Sequence, residues 1–395
     1  MVKCCTNTWD RKGLRRKAEG KNRCKTEGKK GIRVEVNKDK GENRVAVIDP
    51  LRDARWDPFV ESHPFGWICH LSSWKRVLEE SFPHMKGHYL ALINEKENTI
   101  KAALPVFEVR SWLTGNRLVS IPFATLCDPL ISSQEDILKL LESTKNLSRE
   151  VGAKYSEIRA LSAPPLLQGA GLRMRESYKL HYLPLNSTPE DVAKTFHRES
   201  VRQAINRARR RGVTVRIGED ETDLMKLYHL YLNTRKRLSM PAMPYTFLET
   251  LWHEFSEHRQ MRVLLAEHGG IVIAALQVFV YKKRMSAECV GYDYEKRRDN
   301  PLQLIFWEAI RIACEEGIEI FDFGRTSPLN KKLMIWKERW GTMTSDMPQF
   351  YYPADYEPTV AQENSMSYKL VKTLCRYTPH FAYARFGKFC YRHMG

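Results

Sequence analysis

Residues 318–341 open with Ile318-Glu319-Ile320-Phe321-Asp322-Phe323-Gly324-Arg325-Thr326-Ser327-Pro328 and close with Leu333-Met334-Ile335-Trp336-Lys337-Glu338-Arg339-Trp340-Gly341. Residues 318–323 read as a short, largely apolar strand. Alternation sends Asp322 to the face opposite Phe321 and Phe323. The strand ends in Asp-Phe-Gly-Arg, which sets Asp322 and Arg325 at a carboxyl edge, where open α/β sheets bind ligands. A structural Asp322–Arg325 ion pair that locks a turn competes with that reading. The triplet is not the protein-kinase one, because no Gly-rich loop or HRD-type catalytic loop accompanies it.

Upstream, residues 302–316 carry a helical pattern that Gly317 ends. A strand at 285–292 runs into a charged loop that reaches Pro301. His268-Gly269-Gly270 is a hairpin signal between strands at 261–267 and 271–281. Helices are expected at 221–237 and about 245–258, with the proline-marked Met240-Pro241-Ala242-Met243-Pro244 between them. Thr188, followed by Pro189, Glu190 and Asp191, fits an N-cap with proline in the first helical position and acids in the first turn. That helix is expected to continue through the basic stretch to Arg211, stop at Gly212, and lead into a strand at 213–217. Strands alternating with helices, with hairpins mixed in, indicate an α/β (α+β) chain with mixed sheets.

Residues 45–184 mix short strands at 45–48, 89–94, 101–109 and 117–121 with helices at 72–81 and 135–151. Ser72 or Ser73 is the expected cap of the first helix, and residues 94–98 the turn of a hairpin. Residues 1–44 carry too little apolar surface to offset the entropy of ordering and read as a disordered basic arm. Residues 365–394 form a basic, aromatic tail that Pro379 breaks into two short helical pieces.

At roughly 100–200 residues per domain, 395 residues make two or three domains. Hydrophobic residues at 43% and charged residues at 28% exclude a wholly disordered, collagen-like or disulfide-scaffold chain. No apolar run reaches the ~20 residues of a membrane span, and the N-terminus has no apolar signal-peptide centre. Nine cysteines without a CxxC pair argue against zinc or disulfides and for a reducing cytoplasm. The net charge of +17 sits at the ends, with 15 Lys/Arg against 6 Asp/Glu in residues 1–45 and six Lys/Arg without an acid in residues 364–395. The middle is nearly neutral, so overall charge is no argument for nucleic-acid binding.

Arg198, Arg202 and Arg209 fall near one helical face with Ile205. They either meet phosphates or complement a helix C-terminus. Arg297 and Arg298 precede the helix at Leu302 and form either an anion site or a solvated loop. Glu288 and Tyr292 share a strand face and are acid/base candidates. Cys289 and Cys314 sit in apolar patterns and read as inert thiols. No GxSxG elbow and no HxxxH metal spacing occur, so no catalytic metal is expected.

The order of five segments is more specific than any one of them. They are SVRQAINRARRRGV, LYHLYLNTRKRLSMPAMP, VLLAEHGGIVIAALQVFVY, GYDYEKRRDNPLQLIFWEAI and FDFGRTSPLNKKLMIWKERWG. Together they resemble the FemAB-type branch of the GNAT acyltransferase superfamily, in particular the FemAB-like proteins of exosortase/PEP-CTERM and exopolysaccharide systems. The resemblance covers about residues 45–355. It implies tandem GNAT-like domains at 45–184 and 185–355, flanked by the basic arm at 1–44 and a tail at 356–395 that composition marks out.

It also implies transfer of an acyl or aminoacyl group to an amine on a cell-envelope precursor. In the peptidoglycan-bridge members the donor is aminoacyl-tRNA and the acceptor a lipid-linked muropeptide. The family's lysine that stabilises developing charge maps to Lys337, preceded by Trp336. Arg237 falls in the family's T-x-x-R stretch, associated with the acceptor. Acetyl-CoA-binding GNAT proteins present a Gly-rich loop to the pyrophosphate. Here the equivalent residues 295–301 have no glycine, and Pro301 has no amide proton.

The expected chemistry is an amine attacking a thioester or aminoacyl ester. Lys337 holds the oxyanion, Arg325 anchors a phosphate or carboxylate, and Asp322 orients Arg325 or takes the amine's proton. No bound cofactor is expected; the donor is aminoacyl-tRNA or acyl-CoA. The tail either lies on an anionic membrane, making the protein peripheral on the inner face, or packs on the protein's own surface. A catalytically silent module that binds RNA or an envelope polymer and an acyl-CoA-dependent sugar-amine acyltransferase remain as alternatives.

Overall fold

The computed structural model describes residues 43–357 and 366–394. The arm expected over 1–44 lies outside the described residues except for its last two, as does 358–365 of the expected tail. In chain order the elements are β1 (Asn43–Ile48), α1 (Trp56–Ser62), α2 (Ser72–Ser81), β2 (Met85–Asn94), β3 (Thr99–Val109), β4 (Arg117–Ser120), α3 (Gln134–Glu150), β5 (Ser156–Arg159), α4 (Pro164–Leu167), β6 (Arg173–Pro184), α5 (Pro189–Lys194), α6 (Gln203–Arg210), β7 (Thr214–Ile217), α7 (Glu221–Arg237), α8 (Tyr245–Phe255), β8 (Met261–His268), β9 (Ile271–Tyr281), β10 (Arg284–Tyr292), α9 (Pro301–Glu315), β11 (Ile320–Thr326), α10 (Lys331–Glu338), β12 (Met343–Tyr352), α11 (Met366–Tyr377) and α12 (His380–Arg392). Among the described residues, no helix is long and apolar enough to cross a membrane.

The strands form one mixed sheet in the order β1-β2-β3-β4-β5-β12-β6-β11-β10-β9-β8-β7. Among the described strands, only β4 with β5 and β10 with β11 run parallel. From either edge inward, the pairing repeats: three antiparallel contacts, one parallel, one antiparallel. Each half closes on the strand that chain order gives to the other. β6 follows β5 but pairs with β11, whereas β12 follows β11 but pairs with β5. β6 and β12 then form the joint, from Met343 opposite Tyr182 to Tyr351 opposite Arg173.

The halves also share an aromatic core. Trp74 of α2 packs against Phe255 of α8 and Phe279 of β9, with ring centroids 5.8 and 5.5 Å apart. Phe82 meets Phe247 at 5.2 Å and Phe123 at 4.9 Å. Rings of this size dominate burial energetics, so the halves are held by packing as well as by the strand exchange.

Thr188 caps α5 by accepting the Asp191 amide, with Pro189 first in the helix, as the sequence indicates. The helix expected to run on to Arg211 instead stops at Lys194. His197 is extended, donates its amide to the Arg339 carbonyl, and caps a short π turn at Arg198–Arg202 before α6 begins. The break lets Phe196 turn inward onto Trp340 and Trp307, at 5.2 and 5.7 Å. Burial of that ring outweighs helix continuity.

Ser72 and Ser73 do not cap α2. Asp57 takes both the Ser72 amide and the Ser72 hydroxyl, at 2.8 and 2.6 Å. The tail does form two helices on either side of Pro379. Tyr383 is buried, with its hydroxyl donating to the Met240 carbonyl, and Gly387 packs so close to Ala242 that a Cβ would lie 2.4 Å from its carbonyl oxygen.

Candidate active site

β10 and β11 pair only over three positions, from Arg284 opposite Ile320 to Ser286 opposite Asp322. Beyond these both strands lose register. In β10 an extra residue, Glu288, lies between Ala287 and Cys289, which pair with the adjacent β9 residues Val278 and Gln277. In β11 the register against β6 shifts between Asp322 and Arg325, and Gly324 takes a φ of 75°. Such bulges bend a strand and re-aim its side chains.

Asp322 pins the point of separation. One carboxylate oxygen accepts from Arg284 Nη1 at 2.9 Å, the other from the Gly324 amide at 2.7 Å. Asp322 is fully buried; burial raises its carboxyl, and Arg284 works against that. The expected Asp322–Arg325 ion pair is therefore absent, because the Gly324 kink turns Arg325 away. Its guanidinium lies over the Tyr178 ring at 4.6 Å. There burial and neighbouring Arg159 lower its proton affinity.

The kink at Gly324 aims two carbonyls at α10. Lys337 Nζ donates to the Gly324 oxygen at 2.7 Å and to the Arg325 oxygen at 3.4 Å. Asn330 starts α10 by accepting the Leu333 amide. Trp336 then packs edge-on against Phe306 at 5.2 Å and Trp340 at 5.9 Å, which fixes the helix on the aromatic floor.

The separated strands leave a cavity of about 480 Å³, with Glu288, Tyr292, Arg297, Phe323, Trp336 and Lys337 among its walls. Lys337 is buried, and that pulls its ammonium down to about 8, against the pull of Asp322 and Glu288. Glu288 is exposed to the open cavity, yet the protein packed around it keeps the carboxyl from full solvation and pushes it up to about 7. The Ser286 hydroxyl donates to it and opposes that shift. An acid and a base with proton affinities drawn together on one wall are a common sign of a functional site.

α7 supplies the rim. Thr234 Oγ1 accepts the Tyr292 amide at 3.0 Å, and one turn later Arg237 Nη2 donates to the Tyr292 hydroxyl at 2.9 Å. The Arg237 guanidinium lies over the rings of Tyr292 and Tyr294, at 5.0 and 4.4 Å. Glycine at 291 permits this approach: a Cβ there would lie 2.3 Å from the Tyr231 nitrogen and 2.4 Å from the Leu230 carbonyl carbon. Gly291→Ala is expected to cost about 1–3 kcal/mol by forcing α7 outward. A urea-unfolding midpoint equal to wild type would contradict that close packing.

The remaining expected residues lie elsewhere. Arg202 is exposed on the π turn and is not a wall residue. Arg209 is tied to Glu308 at 2.9 Å, so the basic stripe is partly spent on α9. Arg298 is exposed, and its neighbour Arg297 takes the place on the cavity wall. Tyr294–Asp299 form one short 3-10 turn, and that turn, not residue type, selects between them. Arg284, the partner of Asp322, carries no local signal in the sequence.

Residues 195–337 match the family model described as an acetyltransferase (GNAT) domain. The crystal structure of FemX superposes with a TM-score of 0.64 at 14% identity, covering 84% of this chain and 99% of FemX. Residues 195–337 of this chain are therefore a GNAT domain, and the chain as a whole shares the fold of FemX. L-PGS from Bacillus licheniformis gives a TM-score of 0.53 at 13% identity, over 82% of this chain and 98% of its own. A tandem GNAT protein from the clavulanic acid biosynthesis pathway gives 0.50 at 12%, over 80% and 100%. No curated protein matches the sequence. Every cavity residue named above lies inside the matched GNAT segment.

Proposed function

We propose that this GNAT protein is an N-acyltransferase that moves an acyl or aminoacyl group from an ester or thioester donor to an amine on a cell-envelope precursor of peptidoglycan or exopolysaccharide type. One observation carries the chemistry: Glu288 at about 7 and Lys337 at about 8 line the same cavity. The envelope acceptor follows from the FemAB-type order of the motifs. The repeated strand pattern supports a division into two GNAT-like units, with the site in the second, 185–355.

In this reading the acceptor nitrogen attacks the donor carbonyl carbon and sheds its proton to Glu288 as the C–N bond forms. The carbonyl oxygen becomes an oxyanion beside the Lys337 ammonium. On collapse the bond to the ribose oxygen or thiol sulfur breaks. Tyr292, whose oxygen already accepts from Arg237, gives its hydroxyl proton to that leaving atom and recovers one from Glu288 through solvent. Asp322 has no part in proton transfer; it holds the strand separation. Trp336 shapes the wall, and Arg325, outside the cavity, no longer fits a donor anchor.

The α9 start supports an aminoacyl donor over acetyl-CoA. Asn300 is left-handed without a side-chain cap, and Pro301 brings no amide, so the usual row of amides for a pyrophosphate is incomplete. Arg297 and Arg237 offer cations at the mouth instead. Arg237→Ala is expected to raise acceptor KM by about ten-fold and lower kcat less, with Arg237→Lys failing to restore it because lysine cannot both stack and hydrogen-bond in a plane. A fall in kcat alone would move Arg237 from binding to the chemical step.

The donor is tested by incubating the protein with pooled aminoacyl-tRNA and, separately, pooled acyl-CoA, each with a lipid-linked precursor extract, and following donor loss by mass spectrometry. Consumption of charged tRNA is expected. Consumption of acyl-CoA alone changes the donor but keeps the chemistry, and silence with both favours a binding module over an enzyme.

A further inference from the structure

We propose that α11 and α12 form a docking surface for an anionic lipid bilayer, with the bilayer held beside the mouth of the cavity. Leu370, Leu374 and Tyr377 follow at helical spacing on one side of α11, and Leu370 and Tyr377 are 59% and 75% exposed. Cys375, on the opposite side, is fully buried against the body. The stripe continues across Pro379 to Phe381, 86% exposed.

On α12 the outward residues Phe381, Arg385, Lys388, Phe389 and Arg392 recur at spacings of three and four and so share one face. The inward face carries Tyr383, Gly387 and Cys390. Phe389 packs on His393 at 5.0 Å, and Trp112, 75% exposed, packs on the same ring at 5.2 Å. The apolar surface therefore extends past the end of α12 to the loop after β3.

Two features select a bilayer as occupant. Residues 366–394 carry six Lys/Arg and no acid, so the surface complements anionic headgroups. The exposed aliphatic chains of Leu370 and Leu374 match an acyl-chain boundary and have no use against a nucleic acid, which would stack on aromatic rings alone.

The location has a physical basis as well. Lys236 Nζ donates to the carbonyls of Cys375, Arg376 and Thr378, which fixes the end of α11 on α7. The next residue, Arg237, holds the cavity-wall Tyr292. One turn of α7 thus ties the proposed membrane face to the rim. The docking stands on the tail's geometry; only its use, presenting a lipid-linked acceptor, rests on the acyl-transfer reading.

The test is co-sedimentation of the full chain, without substrates, with vesicles of phosphatidylcholine and of phosphatidylcholine mixed with phosphatidylglycerol. Wild type is expected to partition onto the anionic vesicles only. Leu370→Ser with Phe381→Ser, and separately Arg385→Gln with Lys388→Gln and Arg392→Gln, should each weaken partition by about ten-fold or more. Both sets alter exposed side chains, and circular dichroism melts check their fold. Wild type that stays in the supernatant, or both variants binding as wild type does, overturns the proposal. So does binding to polyuridylate lost in the arginine/lysine set but kept in the Leu370/Phe381 set, which makes the face a nucleic-acid surface. None of these readouts depends on turnover, so acyl transfer and docking succeed or fail separately.

Discussion

Lys337→Met is expected to lower kcat for the proposed acyl transfer by about 10²–10³-fold, the range seen when one preorganised oxyanion donor is removed. The size follows from the site's construction. The ammonium is buried, held by the carbonyls of Gly324 and Arg325, and already on the cavity wall, so little reorganisation accompanies charge development. Methionine keeps the length and the apolar stem, but it leaves the oxyanion with no cation and the two carbonyls with no donor. KM should change much less than kcat, because the charge it meets exists only in the transition state. Lys337→Arg should not restore the rate: a planar fork cannot occupy the space between Trp336 and the β11 kink. A folded Lys337→Met protein with full turnover would reduce this lysine to a clamp on β11.

Glu288→Gln is expected to lose about 10²–10⁴-fold in kcat, the usual range for a positioned general base. The same substitution has an opposite effect on stability. Burial puts the folded carboxyl at about 7, above the ordinary value of 4.5. The folded state thus binds the proton more tightly than the unfolded chain does, and stability drains away as pH rises from about 4.5 to about 7. The glutamine variant should therefore melt higher than wild type at pH 8 and match it at pH 4. A variant less stable at pH 8 would mean that the carboxylate is a structural partner rather than a base kept at a cost.

Much of the second half was legible because its signals are local. The cap at Thr188, the glycine turn after His268 and the glycine stop at 317 each act within a few residues, and α7 and α9 fall within a residue or so of their expected ends. Lys337 and Trp336 came from the resemblance, Glu288 and Tyr292 from strand alternation. The long strands β6 and β12 were missed. Their sequences, RMRESYKLHYLP and MTSDMPQFYY, are polar or proline-bearing, and what makes them strands is each other across the joint. Asp322 was placed at the right edge but with the wrong partner, since Arg284 lies 38 residues away in the chain and meets it only through parallel pairing. Arg298 was favoured alongside the position that Arg297 fills, because the twist of a short turn is not written in residue type.

The most direct measurement is the pH dependence of kcat for acyl transfer by wild type beside Glu288→Gln and Lys337→Met. The paired titration predicts a narrow bell for wild type, rising through about 7 as Glu288 loses its proton and falling through about 8 as Lys337 loses its own. Glu288→Gln should remove the acid limb, and Lys337→Met the alkaline one. An unchanged bell in both variants would place the chemistry outside this cavity.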